Sequence, residues 1–560
     1  MTISDYISRH ERGAAIAVAA AIVVYHAVAI SFGFSRRDEG FYLTFYQNIF
    51  SHPEAVEYNF MYYLTGPIGG LWESLFPSWG VMGMRVLGLL FIVASSAIAY
   101  QLTRHAAGSA AALAGVLLVN IGSVPCVYGF GNIGLTVLLY TVMFALMWRG
   151  ITRESLPLLL LAGAVGGSNC FARVPNVLCL AAVTVIAVAA SFGAISWRLA
   201  RRGMAAYLAG VVAGIATVVA LQWSLGHEQI FFNNVKSLLF NAAAASDEPS
   251  PHSVANLLLV QLKHYAKVGI PLLVIVLAFA GYYAFERRYK PSRVVSIAIR
   301  VVIAGAKALF LIHLRPDAIV WCIAMAGTSV MLLGGDKRER LMATMALFML
   351  VIIPCGSDGY FNMGAWPALI GMPLAVKALW RYRLPLITTV CCLLITTAIA
   401  QYNGSHDDPA PLPERCHTMR SPLLRGIHTQ RYRAVAIDSV LSSLAGRVEA
   451  GDTMLVFSNS PMLNALTRTL PALGNSWPGL LSQSEFEARL GAMSARTPVL
   501  VENFVGENWE PRSYPHLGED TEKNLNTGNR KLHALDRWLI AHHYRRTLST
   551  GYFSLYQPAE

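Results

Sequence analysis

Two carboxylates stand side by side just after the first apolar run: Asp38 and Glu39 follow Gly13 to Phe34, a stretch long enough to cross a bilayer as a helix. Holding ionisable groups at a membrane boundary costs free energy, so a pair kept there is a candidate for chemistry, and the chemistry of a carboxylate is to accept a proton. The competing reading is structural, with Asp38 capping a short helix while Arg36 and Arg37 neutralise the pair. After the pair, Phe41, Tyr42, Phe45, Tyr46 and Ile49 recur at helical spacing, which predicts a short interfacial helix with its aromatic face in lipid. An anion beside such a base needs cations. Arg85 lies about one turn inside the second apolar run, Val81 to Leu102, and Arg173 sits in the turn FARVPN. Lys263, His264 and Lys267 lead into a later run, where snorkelling to headgroups is the alternative use of the two lysines. The Gly-flanked stretch GSDGYFNMG sets Asp358, Tyr360 and Asn362 at the end of another run, either as a ligand-contacting loop or as an ordinary tight turn.

The elements that must position these residues are membrane spans. With 55% hydrophobic residues, 14% charged residues and a mean hydropathy of +0.47, the chain is an integral membrane protein rather than a large soluble one. Its net charge of +12 comes largely from Arg and Lys in short turns, so orientation by positive charge accounts for it and nucleic acid is not a partner. Arg104, then Arg149 and Arg153, then Arg198, Arg201 and Arg202, then Arg287, Arg288, Lys290 and Arg293 fall on one side if the N-terminus is cytoplasmic. Arg9 and Arg12 without a small-residue cleavage site read as the start of an uncleaved anchor. Residues 294–335 read as two spans joined at His313 to Asp317, an amphipathic cytoplasmic helix being the rival reading. The tally is about thirteen transmembrane helices within residues 1–401, with outward loops at 35–80 and 224–266. The second of these loops carries Asn233, Asn234, Lys236, Asp247, Glu248 and His252, and its length marks it as functional or mobile.

From Tyr402 the composition becomes that of a soluble domain. Amphipathic runs near 433–444, 484–493 and 532–543 precede TMLVFS, PVLVEN and then YRRTLS with YFSLY, which predicts a three-layered α/β domain over 402–560, outside the membrane. The eight cysteines form no CxxC pair and lie mostly in apolar runs, so neither a zinc site nor a disulfide framework is read. Gly451 and Gly474 do not make a phosphate-cradling pattern. No internal repeat favours an inverted-repeat transporter.

Together, the acidic pair after the first span, the interfacial helix, a Gly-Pro segment with a Trp (Gly66, Pro67, Trp72, then Leu75 and Phe76) and Arg85 resemble the polytopic membrane glycosyltransferases of the GT-C fold. The closest branch is that of the protein O-mannosyltransferases and lipid A aminoarabinose transferases. The resemblance is specific over about the first hundred residues and architectural beyond them. It implies a multi-pass enzyme of the bacterial plasma (inner) membrane with a periplasmic C-terminal domain, working in cell-envelope or lipopolysaccharide chemistry. Its partners would be a polyprenyl-phosphate sugar donor, a glycan, lipid or protein acceptor hydroxyl, and the bilayer. Transfer would be inverting, with Asp38 as base, Glu39 orienting it or holding a divalent cation, and Arg85 and Arg173 on the leaving phosphate; no other cofactor is implied. Two departures mark a divergent member: Asn132 stands where many relatives have a second acidic residue, leaving a sugar-bonding amide but no charge for a two-carboxylate metal site, and Thr65, Gly66 and Pro67 replace a Lys-Pro segment. An O-antigen polymerase or ligase, with its key groups in a large mid-chain loop, is the first alternative. A lipid-linked-sugar flippase or transporter is the second.

Overall fold

The computed structural model describes residues 9–123, 129–243, 254–355, 365–380, 383–404, 407–506, 508–511 and 530–559. In lipid every backbone polar group must be satisfied internally, so each apolar run closes into a helix. The chain is a multi-pass helical membrane protein followed by an α/β unit. The membrane part comprises α1 (Glu11–Ala29), then α2 (Asp38–Asn48) and α3 (Thr65–Leu75) in the first extramembrane segment, then α4 (Gly80–Ala107), α5 (Ser109–Gly122), α6 (Asn132–Thr152), α7 (Leu156–Asn169) and α8 (Val183–Ser191, entered through a 3-10 stretch from Val174). It continues with α9 (Trp197–Leu225), α10 (Glu228–Ala243), α11 (Val254–Tyr289), α12 (Arg293–Leu311), α13 (Pro316–Gly334), α14 (Lys337–Ile352), α15 (Gly371–Leu379) and α16 (Arg383–Asn403). Among the described residues nine helical stretches are long and apolar enough to cross a membrane. The other four expected spans are the shorter helices α5, α7, α14 and α15.

Residues 293–334 form two helices joined by a short turn, and Lys307, which interrupts the apolar pattern, is buried with its ammonium on Thr388 Oγ1 (2.6 Å) and Thr389 Oγ1 (2.8 Å). The basic turns gather at one end: Arg104 bonds Glu11 (2.6 Å), Lys337 bonds the Gly193 carbonyl (2.9 Å), and Lys377 bonds the Ala106 carbonyl (2.7 Å) and Glu339 (2.6 Å).

Two expectations for the extramembrane segments are corrected. Helix α2 does not lay its aromatic face in lipid, because Phe41, Tyr42, Phe45, Tyr46 and Ile49 are all buried. Glycines of α3 let it lie flat against that face: a Cβ at Gly66 would run into Phe45, at Gly69 into Tyr46 and at Gly70 into Ile49. The opposite face of α2 is closed by the C-terminal unit, where Gly40 leaves no room for a Cβ beside the Met462 backbone. The described residues of 224–266 are likewise largely helical rather than a loop. Helix α10 packs on the 3-10 stretch Pro53–Tyr62, with Asn234 Nδ2 on the Glu57 carbonyl (3.0 Å) and His227 Nδ1 on the Tyr63 hydroxyl (3.2 Å). Asp247, Glu248 and His252 lie outside the described residues.

The C-terminal unit carries a five-stranded mixed sheet of order β2-β1-β3-β5-β4, from β1 (Thr453–Phe457), β2 (Leu470–Pro471), β3 (Val499–Glu502), β4 (Tyr544–Ser549) and β5 (Phe553–Pro558). Strand β1 runs parallel to β2 and β3, while β5 is antiparallel to β3 and β4. Alternation sorts the side chains into two faces. Met454, Val456, Leu500 and Leu555 pack with α17 (Arg431–Leu444) and the short α18 (Met462–Thr467), and Leu455, Phe457, Val499, Val501 and Tyr556 pack with α19 (Gln483–Ala492) and α20 (Arg530–Ala541). The unit therefore has three layers. The first of these cores runs on without a break into the aromatic side chains of α2.

Helices α7 and α9 cross closely because each turns two glycines to the other: Gly163 and Gly167 meet the backbone at Tyr207 and Val211, and Gly210 and Gly214 meet it at Leu160 and Ala164. Gly210→Leu forces this crossing apart and is expected to cost about 3 kcal/mol or more. Fluorescence-detected gel filtration of the tagged variant should show aggregate in place of the wild-type peak.

Candidate functional site

Helix α1 ends at Ala29, and its last carbonyls need donors where the chain leaves the membrane. Backbone N–H groups of Ile30, Ser31 and Phe32 meet those of His26, Val28 and Ala29, and Arg85, in the second turn of α4, takes the carbonyls just beyond: Nη1 donates to that of Ile30 (2.5 Å) and Nη2 to that of Gly33 (2.7 Å). The remaining edge of the guanidinium forms a bidentate pair with Glu39, Nε to Oε1 at 2.6 Å and Nη2 to Oε2 at 2.7 Å. Both side chains are sealed, 2% and 1% exposed. This revises two expectations. Arg85 faces a carboxylate and carbonyls rather than a phosphate, and Glu39 has both oxygens on Arg85 and is withheld from proton transfer. A divalent cation at Glu39 does not fit either, and among the described residues no group of three or more His, Cys, Asp or Glu is placed to hold a metal ion.

Arg36 and Arg37 both reach the C-terminal unit. Arg36 reaches into the C-terminal unit, bonding Glu502 (2.9 Å) and the carbonyls of Asn459 (2.9 Å) and Gly506 (3.1 Å) with its guanidinium 5.0 Å from the Phe504 ring centre. Arg37 bonds Asp407 Oδ1 at 2.8 Å, and Ser35 bonds the other oxygen of the same carboxylate at 2.5 Å. Asp38 does not cap the helix: the cap position is Arg37, and Asp38 is the first residue inside. Asp38 is half-buried, in contrast to Glu39.

One turn further along the same face is Tyr42. Burial, and then the nearby Tyr62, Tyr46 and Asp38, push its phenol well above the usual tyrosine value, against an opposing bond from the Asn132 backbone. Tyr42 therefore stays a neutral hydroxyl throughout the physiological range. Its ring lies 6.0 Å from that of Tyr62, and a Cβ at Gly131 would stand 3.1 Å from it, so the turn before α6 presses directly on Tyr42. Arg173 completes the group. Its guanidinium is buried and bonds the Cys355 carbonyl; burial lowers its pKa, opposed by Tyr62, Tyr140, Cys355 and Tyr42 around it. An arginine so placed remains a cation. The turn that carries it is tied to the first extramembrane segment by the Leu64 N–H on the Phe171 carbonyl, 2.9 Å.

Of the residues singled out in the sequence, the structure thus gathers Asp38, Asn132 and Arg173 around Tyr42 and Tyr62. Lys267 is exposed and His264 half-buried on the flank of α11, whose Tyr265 bonds the Val351 carbonyl at 2.8 Å. Asp358, Tyr360 and Asn362 lie outside the described residues. Sequence reasoning gave Tyr42 to lipid and passed over Tyr62. The i, i+4 spacing of Asp38 and Tyr42 was the available signal for the first, and nothing local marks the second.

No protein-family profile and no curated protein matches the chain. Solved structures similar to it include the oligosaccharyltransferase of Archaeoglobus fulgidus in complex with Zn and sulfate, at 11% identity over 86% of this chain and 68% of that one, TM-score 0.45. The same oligosaccharyltransferase tethered to an acceptor peptide with the NVT sequon matches at 11% identity over 97% of this chain and 74% of that one, TM-score 0.44. ArnT from Cupriavidus metallidurans bound to undecaprenyl phosphate matches at 12% identity over 97% and 98%, TM-score 0.41. Likeness at that level transfers no residue's role, and the assignments above stand on geometry.

The two neighbouring carboxylates should separate in stability measurements. Glu39→Ala strands a buried cation and is expected to cost about 3–5 kcal/mol, much of it recovered by adding Arg85→Met. Asp38→Asn, which keeps the side chain's shape at a partly buried position, should cost clearly less than Glu39→Ala. Thermal unfolding of the detergent-solubilised variants checks both.

Proposed function

We propose that the chain is a membrane glycosyltransferase of the GT-C type, moving a sugar from a polyprenyl-phosphate donor to a hydroxyl of a glycan, lipid or protein on the extracytoplasmic face. The observation that carries this reading is the division of the acidic pair: Glu39 is neutralised by Arg85, while Asp38 sits partly buried in the first turn of α2 close to Tyr42, whose phenol also lies in the field of Arg173. A base for one oxygen and a cation for another are what displacement at a sugar carbon next to a phosphate requires.

In the reaction the acceptor hydroxyl gives its proton to Asp38 as its oxygen attacks the anomeric carbon. The bond from that carbon to the phosphate oxygen breaks with its electron pair, and the anomeric configuration inverts. The departing polyprenyl phosphate carries the new charge and is met by Arg173, which binds phosphate oxygens through a planar fork. Tyr42, neutral at working pH, and the Asn132 amide supply hydrogen bonds to the sugar, and the expected orientation, with the basic turns in the cytoplasm, puts this chemistry outside. Lipid-linked donors suit that side, and the apolar helices give a prenyl chain its solvent.

Mass spectrometry of prenyl-linked lipids tests the reading. Cells lacking the protein are expected to accumulate a polyprenyl-phosphate sugar that disappears on complementation with wild type and persists with Asp38→Asn, whose turnover falls about 10²–10⁴-fold. A deletion without accumulation points instead to a polymerase, a ligase or transport, and an Asp38→Asn protein that transfers at the wild-type rate removes Asp38 from the mechanism.

A further inference from the structure

The C-terminal unit meets α2 through the loop after β2, which reads Gly474-Asn475-Ser476-Trp477. Both ends of this loop are held against the first extramembrane segment. At one end the Gly474 carbonyl accepts the Tyr58 N–H at 3.0 Å; at the other the Trp477 ring lies 6.2 Å from that of Phe41, one turn along α2 from Asp38. Phe41 in turn has Tyr58 and Tyr62 at 6.3 and 6.4 Å. Trp477 is oriented by its indole N–H on Asn459 Oδ1 (2.7 Å), and the carbonyl of the same Asn459 accepts from Arg36, two residues before Asp38. The loop is therefore a fixed wall beside the candidate base.

Between these anchors stand two polar side chains, each 1% exposed, with atoms the protein does not satisfy. Asn475 Oδ1 accepts the Trp477 N–H at 2.8 Å, but Asn475 Nδ2 and Ser476 Oγ have no hydrogen-bond partner among the described residues. A buried donor left unmade is costly, and a fold that keeps two of them side by side next to an aromatic wall has a use for them outside its own packing. Aromatic faces take the apolar face of a pyranose, and amide and hydroxyl groups take its hydroxyls; the guanidinium against the loop, that of Arg489 on the Leu473 carbonyl, is paired with Glu57 and Glu485.

We propose that Asn475, Ser476 and Trp477 form the acceptor subsite, and that the acceptor is a saccharide. The inference rests on the transferase reading for the word acceptor and on the loop alone for the word saccharide. The C-terminal unit then does more than cover the site: it selects which hydroxyl reaches Asp38.

The full chain, purified in detergent, is tested by saturation-transfer NMR with mannobiose, cellobiose and chitobiose as probes and a Ser/Thr hexapeptide as the rival. Wild type and Asp38→Asn are expected to saturate at least one disaccharide and not the peptide, and Asn475→Ala with Ser476→Ala should weaken that binding about tenfold or more. Ser476→Ala alone serves as the folding control. It deletes a hydroxyl that bonds nothing among the described residues, so a packing role leaves saccharide binding unchanged and the melting temperature the same or higher, whereas the subsite role lowers binding at that same melting temperature. Absence of any disaccharide signal from wild type, a signal from the peptide only, or full binding by the double variant overturns the proposal. If Asp38→Asn transfers normally while the loop variants lose the disaccharide, the transferase mechanism fails and the saccharide site stands; if Asp38→Asn is inactive and no disaccharide binds, the reverse holds.

Discussion

The bidentate contact between Arg85 and Glu39 decides the geometry on which the site depends. A buried ion pair by itself adds little stability, because the cost of stripping water from both charges offsets their attraction. Here the same guanidinium also satisfies carbonyls at the exit of α1, groups that water reaches poorly at a membrane boundary. One side chain thus fixes where α1 stops, the path of residues 30–38 and the rotation of α2. Once Glu39 is turned inward against Arg85, its neighbour Asp38 points a further 100° or so around the helix, and Tyr42 follows it on the same face.

The remaining charges of this region are divided with similar strictness. Arg36 and Arg37 go to Glu502 and Asp407, and the neighbouring Asp408 is shared among the Phe34 N–H, Thr429 and Gln430, so the start and the end of the chain are held by a row of buried or half-buried polar contacts. Arg36 and Arg37 thereby tie the segment just before Asp38 to the C-terminal unit. The cation that acts on this cluster, Arg173, arrives from the far side, on the turn before α8.

Much of this architecture was legible in the residues. Apolar runs became helices because lipid permits little else, and the three amphipathic runs of the C-terminal unit fell within two residues or so of α17, α19 and α20 because helical periodicity and a sheet's alternation are local properties. The aromatic stripe of α2 was misassigned for a physical reason: Phe and Tyr at helical spacing say that a face is apolar, not whether lipid or protein covers it. What covers it is α3 with its glycines and the turn at Gly131, and neither is near in sequence. The roles of Glu39 and Arg85 were hidden in the same way. An ionisable group at a membrane boundary signals importance, but holding a helix end and performing chemistry leave the same mark.

The polar row between the two ends of the chain also bears on how the protein is made. Arg36 finds Glu502 across a separation of 466 residues, and Ser35 finds Asp407 across 372. During synthesis the first hairpin of helices enters the membrane long before either partner exists, so Ser35 waits for its carboxylate until the segment after α16 is made and Arg36 until β3 is made. Closure of that polar row is a late, long-range event of the kind that slows folding and exposes a chain to misassembly. The segment that leads into the candidate site therefore reaches its final setting only after β3, with Glu502, has emerged.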